Sequence, residues 1–166
     1  AGEETALLES LEGKRAQPRL KPPFPAAWGL YGCPTAVNNV ETLCNVPLIL
    51  RHGAEWYAAL GPEKNGGPKL YCVSGHVRRP GVYEASMHTT LAALVYDYAG
   101  GPPEGRRVKA VIPGGSSVPV LLPDQLDVPA SFDAVQKAGS LLGSAGIIVM
   151  DDTTCMIEVV ARTVGF

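Results

Sequence analysis

With 166 residues and a mass of 17.4 kDa, the chain has room for one ordinary domain or two small ones, and none for a large multidomain enzyme. Hydrophobic residues make up 46% and charged residues only 18%, against a usual charged share of about 25%, which excludes a disordered chain or a coiled coil and points to surface covered by partners. A net charge of -2 and a pI near 5.9 give no electrostatic footprint for nucleic acid or an anionic membrane.

Residues 3–12 place Leu7, Leu8 and Leu11 on one helical face, with Glu3 and Glu4 at the positive N-terminal end and Gly13 where a C-cap would sit, so they predict a short helix. From Ala16 to Pro34 the prolines Pro18, Pro22, Pro23, Pro25 and Pro34 remove amide donors and bias their neighbours towards extended backbone, so residues 16–36 read as an extended crossing. Asn38 and Asn39 offer a cap for a helix whose apolar stripe starts at Val40, Leu43 and Cys44. Pro47 is expected to kink or restart that helix, and Gly53 to break it before a short helical piece over Ala54–Leu60. The polar, Gly-rich run Glu63–Pro68 is the best candidate linker.

Beyond it the hydrophobic period changes from 3.6 to 2. Leu70–Ser74 and Gly81–Glu84 read as strands around a turn at His76–Pro80. Thr89 or Thr90 can cap a helix carrying Leu91, Leu94, Val95 and Tyr98, ended by Gly100 and Gly101. Val108, Ala110 and Ile112 alternate into a third strand, Val118–Leu122 reads as another, a short helix follows Ser131, and the continuous apolar run Gly146–Met150 predicts a buried central strand. Met156, Val159, Val160 and Thr163 begin a last helix, which reaches Phe166 without a stop signal and reads as cut within the element. The order ββα-β-β-(α)-β is that of an α+β layer, a β-grasp.

Bare motif chemistry is sparse: there is no HExxH, GxSxG or Walker loop, and Pro113–Ser117 reads as a tight turn before an anion cradle. Cys33, Cys44, Cys72 and Cys155 lie far apart with no CxxC pair, so they read as small buried thiols and not as metal ligands or disulfides. His52, His76 and His88 are scattered and receive no catalytic role. No window reaches the roughly 18 apolar residues of a membrane span, and the start lacks signal-peptide order, which predicts a cytoplasmic-side protein without direct membrane insertion.

A resemblance adds function. The runs Gly2–Gly13 (GEETALLESLEG), Pro18–Pro25 (PRLKPPFP) and Pro34–Thr42 (PTAVNNVET), in that order, resemble the flavoprotein subunits of NADH-quinone oxidoreductase, the F-type subunits of respiratory complex I. Ser74–Glu84 (SGHVRRPGVYE), Ile112–Ser117 (IPGGSS) and Gly139–Gly143 (GSLLG) extend the likeness over essentially the whole chain. NAD-linked subunits of soluble hydrogenases and formate dehydrogenases resemble it less closely.

The resemblance implies an α+β chain: a ubiquitin-like β-grasp (SLBB) module at 67–150, preceded at 1–66 by the C-terminal part of an α/β FMN-binding domain and followed at 151–166 by the start of a helix leading to an iron–sulfur bundle. It implies hydride transfer from NADH to FMN and onward electron transfer to a four-iron cluster. Gly2, Glu3, Val37, Asn38 and Asn39 would belong to the FMN pocket, and Glu4, Lys21 and Phe24 would face NADH, with Glu4 as the residue closest to a catalytic role. The same Glu3 and Glu4 suit any helix N-terminus, and Asn38 and Asn39 any helix cap. The family's glycine-rich nucleotide loops and its cluster-binding cysteines have no counterpart here, and Ala1 stands where a Cys is expected, so no metal site and no activity of this chain by itself are expected. The partners implied are the other subunits of an NADH-oxidising peripheral arm at the inner membrane. The rival is a β-grasp module that itself binds a small molecule, as in the soluble-ligand-binding domains of polysaccharide-export proteins. A spacer and docking face for neighbouring subunits is compatible with the first reading.

Overall fold

A computed structural model describes residues 2–165; Ala1 and Phe166, and the expectations that fall on them, lie outside the described residues. The chain divides into two compact units between Arg51 and His52.

In the first unit, α1 (Glu4–Leu11) is capped by Glu3, whose extended backbone lets its carboxylate accept from the Ala6 amide at 2.8 Å. The helix closes through Glu12 and a left-handed Gly13. Thr5, Ala6 and Leu8 form its buried face. The proline-rich stretch after it turns back on itself, with a short 3-10 turn at Leu30–Gly32. Its tight fold needs a glycine at 29, where a Cβ would sit 2.3 Å from the Thr35 side chain and 2.9 Å from the Pro25 carbonyl. The next helix, α2 (Val40–His52), starts where Asn39 Oδ1 accepts from the Glu41 amide at 2.8 Å, and it continues across Pro47 as one element. The expected break falls at Gly53, already in the second unit, whose φ of 92° starts α3 (Ala54–Ala59). The Val40–Leu43–Cys44 stripe is exposed.

In the second unit, β1 (Pro68–Gly75) pairs antiparallel with β2 (Gly81–Ser86), with Tyr71 opposite Tyr83. The last strand, β4 (Gly146–Asp151), lies parallel to β1 and antiparallel to β3 (Val108–Ile112), giving the order β2-β1-β4-β3. The central position explains the continuous apolar run of β4, because Ile147 and Val149 face one layer while Ile148 and Met150 face the other. On the first face the core joins Tyr71, Val73, Leu91, Leu94, Val95, Ile147 and Val149, each at most 2% exposed. On the second, Ala110, Ile112 and Met150 pack against Met156 and Val159 of α6 (Met156–Gly165). Gly75 is obligatory where β1 ends: a Cβ there would meet the Val149 carbonyl at 2.2 Å. The fold is the expected α+β β-grasp.

Four local expectations are corrected. The helix after Thr90 opens as α4 (Leu91–Ala93) but continues as a π turn over Leu94–Tyr98, because the Ala99 amide reaches Leu94 and left-handed Gly100 and Gly101 let the Gly101 amide reach Val95. Val118–Leu122 is no strand: Pro119 lacks a donor, and only Leu121 bridges to Val111. The run Glu63–Pro68, expected as a linker, lies inside the second unit and is anchored there, since buried Asn65 donates to Asp133 Oδ2 at 2.9 Å and accepts from the Phe132 amide at 3.1 Å, just before α5 (Phe132–Lys137). All four cysteines are free and exposed. For Cys72 the reason is the pleat, which turns Tyr71 and Val73 inward and the residue between them outward.

Candidate functional site

Three of the expected site residues meet at the start of α1. Lys21 Nζ lies 2.8 Å from Glu4 Oε1 and 3.1 Å from Glu3 Oε1. Glu3 divides its two oxygens between tasks. Oε2 accepts from Thr5 Oγ1 and the Ala6 amide, while Oε1 faces the ammonium. Those bonds, the Thr5 hydroxyl first, pull the Glu3 carboxyl down to about 2. Lys21 is raised, chiefly by its hydrogen bond to Glu4 and then by Glu3. Glu4 has no cap bond to hold it and is the more exchangeable partner of Lys21. All three side chains reach solvent at 30–41% exposure, so an incoming ligand can compete for the ammonium.

The loop that delivers Lys21 is positioned by Arg19. Its guanidinium spans Glu9, Glu12 at 2.7 Å and the Gly29 carbonyl at 2.9 Å, while its backbone amide donates to Thr5 Oγ1 at 2.8 Å. Glu12 also takes Lys14 at 2.8 Å and the Tyr31 amide at 2.8 Å, which with Arg19 lower its carboxyl to about 2, Lys14 contributing most. The loop between α1 and α2 is thus tied to α1 by a network of ion pairs and hydrogen bonds.

The remaining residues stand apart. Phe24 is 60% exposed, with its carbonyl holding the turn through Ala27 and Trp28. Val37, Asn38 and Asn39 are exposed, and Asn39 spends its side chain on capping α2. Gly2 has open space around it. No hydrogen bond or ion pair among the described residues joins the 37–39 segment to the Glu3–Glu4–Lys21 cluster. The donor set fits a dinucleotide and a flavin chemically: an ammonium for phosphate, a free Asn38 amide for ring or ribose polar groups, an open Phe24 ring for stacking, and a bare Gly2 backbone for close approach. Among the described residues, no group of three His, Cys, Asp or Glu side chains is placed to hold a metal ion, and no helix is long and apolar enough to cross a membrane.

One cluster has no counterpart in the sequence reading. Asp151, fully buried at the end of β4, accepts from Arg106 at 2.8 Å, Thr153 Oγ1 at 2.6 Å and the Thr153 amide, and faces His76 Nδ1 at 2.8 Å. Its carboxyl is held far below the ordinary range, first by the Thr153 hydroxyl and also by Arg106, against the desolvation that opposes it. Residues 76, 106 and 151 are too far apart in sequence for spacing to reveal them. The cluster clasps the ends of β1 and β4 to the loop before β3.

Comparison with known proteins agrees with this architecture. Residues 70–121 match the SLBB domain family. Over 165 residues, 99% of the chain, it is 59% identical to an F subunit, the one designated F 2, of the NADH-quinone oxidoreductase of Rhizobium meliloti (strain 1021), covering 39% of that protein. It is 56% identical over 97% of its length to the F subunit of the NADH-quinone oxidoreductase of Rickettsia rickettsii (strain Sheila Smith), covering 38% of it. A crystal structure of an NAD+-reducing [NiFe]-hydrogenase in the air-oxidized state superposes with a TM-score of 0.80 at 42% identity, covering 96% of this chain and 27% of that one. The chain spans about two fifths of the length of the curated relatives it matches. Nearly all of it therefore corresponds to a stretch of the F subunits of NADH-quinone oxidoreductases, a stretch that carries an SLBB domain.

Proposed function

We propose that this chain is part of an NADH-oxidising flavoprotein subunit, with residues 1–66 contributing one side of a nucleotide and flavin site, residues 67–150 the SLBB β-grasp module, and residues 151–166 the lead-in to an iron–sulfur domain. The observation that carries the reading is the meeting of Glu3, Glu4 and Lys21 at the start of α1, in a chain that matches the F subunits along nearly its whole length. When bound, FMN would supply the conversion of a two-electron hydride donor into single-electron transfers towards a four-iron cluster.

The chain's own residues bind and orient. Lys21 exchanges Glu4 for a phosphate of NADH, and Glu3, fixed by the cap, keeps the ammonium in place during the exchange. Phe24 stacks on a flat ring of the dinucleotide, and Gly2, Glu3, Val37, Asn38 and Asn39 line the flavin side. Glu4 sets the electrostatic response to the nucleotide's charge, because its carboxylate competes with the phosphate for the same ammonium. The partners on this reading are the other subunits of the NADH-oxidising arm, and the location is the cytoplasmic side of the inner membrane, peripheral to it.

The test uses the intact FMN-loaded subunit and its NADH–ferricyanide reductase activity. Lys21→Ala and Phe24→Ala should each raise KM for NADH several-fold, and Glu4→Gln should shift it in the opposite direction by freeing Lys21. The chain of 166 residues, with FMN added, should show no turnover above a protein-free blank. Unchanged KM in all three variants, or turnover by the short chain, would overturn the assignment.

A further inference from the structure

The outer face of the β-grasp sheet carries a second, unassigned feature. Between that face and α6 runs a cleft of about 360 Å³ lined by Ile112, Ile148, Met150 and Val159, with Ser116, Thr163 and Arg162 at its rim. The floor is apolar: Ile112 and Met150 are each 5% exposed and belong to the small apolar cluster that holds α6 to the sheet. The rim is polar and largely uncommitted. Thr163 donates its hydroxyl to the Val159 carbonyl and so still presents an acceptor, while Ser116 and Arg162 make no side-chain hydrogen bond or ion pair among the described residues. An apolar floor with one unpaired cation at its mouth is complementary to a molecule that is apolar along its body and anionic at one end. Its volume lies at the small end of the roughly 300–1,000 Å³ range of ligand pockets, which suits a short chain and not a polypeptide segment.

We propose that this cleft binds the anion of a medium-chain carboxylic acid, with the hydrocarbon over Ile112, Ile148 and Met150 and the carboxylate paired to Arg162, the Ser116 hydroxyl donating beside it. The site is independent of the Glu3–Glu4–Lys21 cluster and does not rest on the flavoprotein reading.

The probe is octanoate, titrated into the chain with carbon-labelled Ile and Met methyls and followed by NMR, with octanol as the uncharged arm. Saturable shifts are expected at the Ile112, Ile148 and Met150 methyls. Arg162→Gln should weaken octanoate roughly three- to fivefold, the scale of one exposed ion pair, and leave octanol unchanged. Ile148→Trp, which fills the cleft, should abolish both while the amide spectrum of the sheet stays dispersed. The same titration in a full-length F subunit should give the same methyl shifts. Shifts confined to the exposed Ile157 methyl, equal octanoate affinity in Arg162→Gln, or silence of these methyls in the longer protein, where its own additional chain would then fill the cleft, would each overturn the proposal.

Discussion

Residues 52–165 fold around a large apolar cluster between the sheet, α4 with its π turn, and α5, and a small one between the sheet and α6, whereas the buried apolar side chains of residues 2–51 amount to Ala6, Leu8 and Pro25. What the first unit lacks in core it replaces with charge: Arg19 on Glu9 and Glu12, Lys14 on Glu12, Lys21 on Glu3 and Glu4. The two forms of cohesion respond to different perturbations. Apolar burial does not weaken in salt or moderate acid, whereas ion pairs that reach solvent, such as Lys21 with Glu3 and Glu4, weaken under both, and the half-buried Arg19 pairs weaken less. The residues proposed to meet the nucleotide sit in the charge-held unit, where a charged ligand can exchange for one of the existing partners, while the β-grasp is held by its buried core.

The strongest way to break this contrast is to attack the core. Ile147 is fully buried near the start of β4, opposite Val73 of β1, and Ile147→Ala should cost about 2–5 kcal/mol. Urea unfolding followed by a β-sheet signal should show a lower midpoint with an unchanged slope. Hydrogen exchange in α1 should stay as it is in the parent chain, and a rise there would mean that the two units share one cooperative transition.

How much of this was legible in the sequence follows from the same division. The second unit could be read because its hydrophobic pattern is periodic and each element buries a face: alternation announced β1 and β3, and the uninterrupted apolar run announced the central β4. The strand expected at Val118–Leu122 failed because alternation counts side chains and ignores that Pro119 has no amide to give. The π turn depends on where two left-handed glycines let the chain close, a backbone matter that spacing does not encode. In the first unit, periodicity found α1 but was silent on what holds the loop. Arg19 reaches Glu9 and Glu12 only because the chain turns back after α1 at the left-handed Gly13, so the network, like the His76–Arg106–Asp151 clasp, exists solely in three dimensions. The resemblance named Glu3, Glu4 and Lys21 separately, Glu3 for the flavin and the other two for NADH, and only the folded chain shows the three side chains meeting.

The middle-sized effects address the charge network. The carboxyls of Glu3 and Glu12 lie near 2 in the folded chain against an ordinary 4.5, so the folded form binds protons less readily than the unfolded one. Their contribution is complete above pH 4.5 and drains as the pH falls from there towards 2. Amide exchange in α1 and in residues 16–35 should therefore accelerate below pH 4.5, and at neutral pH in about 1 M salt, where the screening length falls to about 3 Å. Amides of β1 and β4 should stay protected in the same salt. Arg19→Ala should reproduce the neutral-pH loosening without salt, read as several-fold faster proteolysis within residues 16–35. Equal acceleration in both units would dissolve the distinction between them.

The smallest expected effect tests whether the core unit also depends on single polar contacts. Thr90 caps α4 through its hydroxyl, which accepts from the Ala93 amide at 3.1 Å, and it sits beside the fully buried Leu91 and Leu94. Thr90→Ala removes one cap and leaves every apolar neighbour in place, so it should cost about 1 kcal/mol, and Thr90→Ser should recover most of it. The π turn makes the measurement informative. Helix α4 holds only Leu91–Ala93 before the hydrogen-bonding pattern widens, so a lost cap cannot be absorbed by fraying one turn and must pass into the Leu94 and Val95 contacts with the core. A cost well above 1 kcal/mol, with faster exchange at Ala99 and Gly101, would show that the cap positions the π turn and not merely its first residue. A cost near zero would mean that apolar packing alone fixes this segment, leaving the polar support of the second unit to the buried Asp151 and Asn65 contacts.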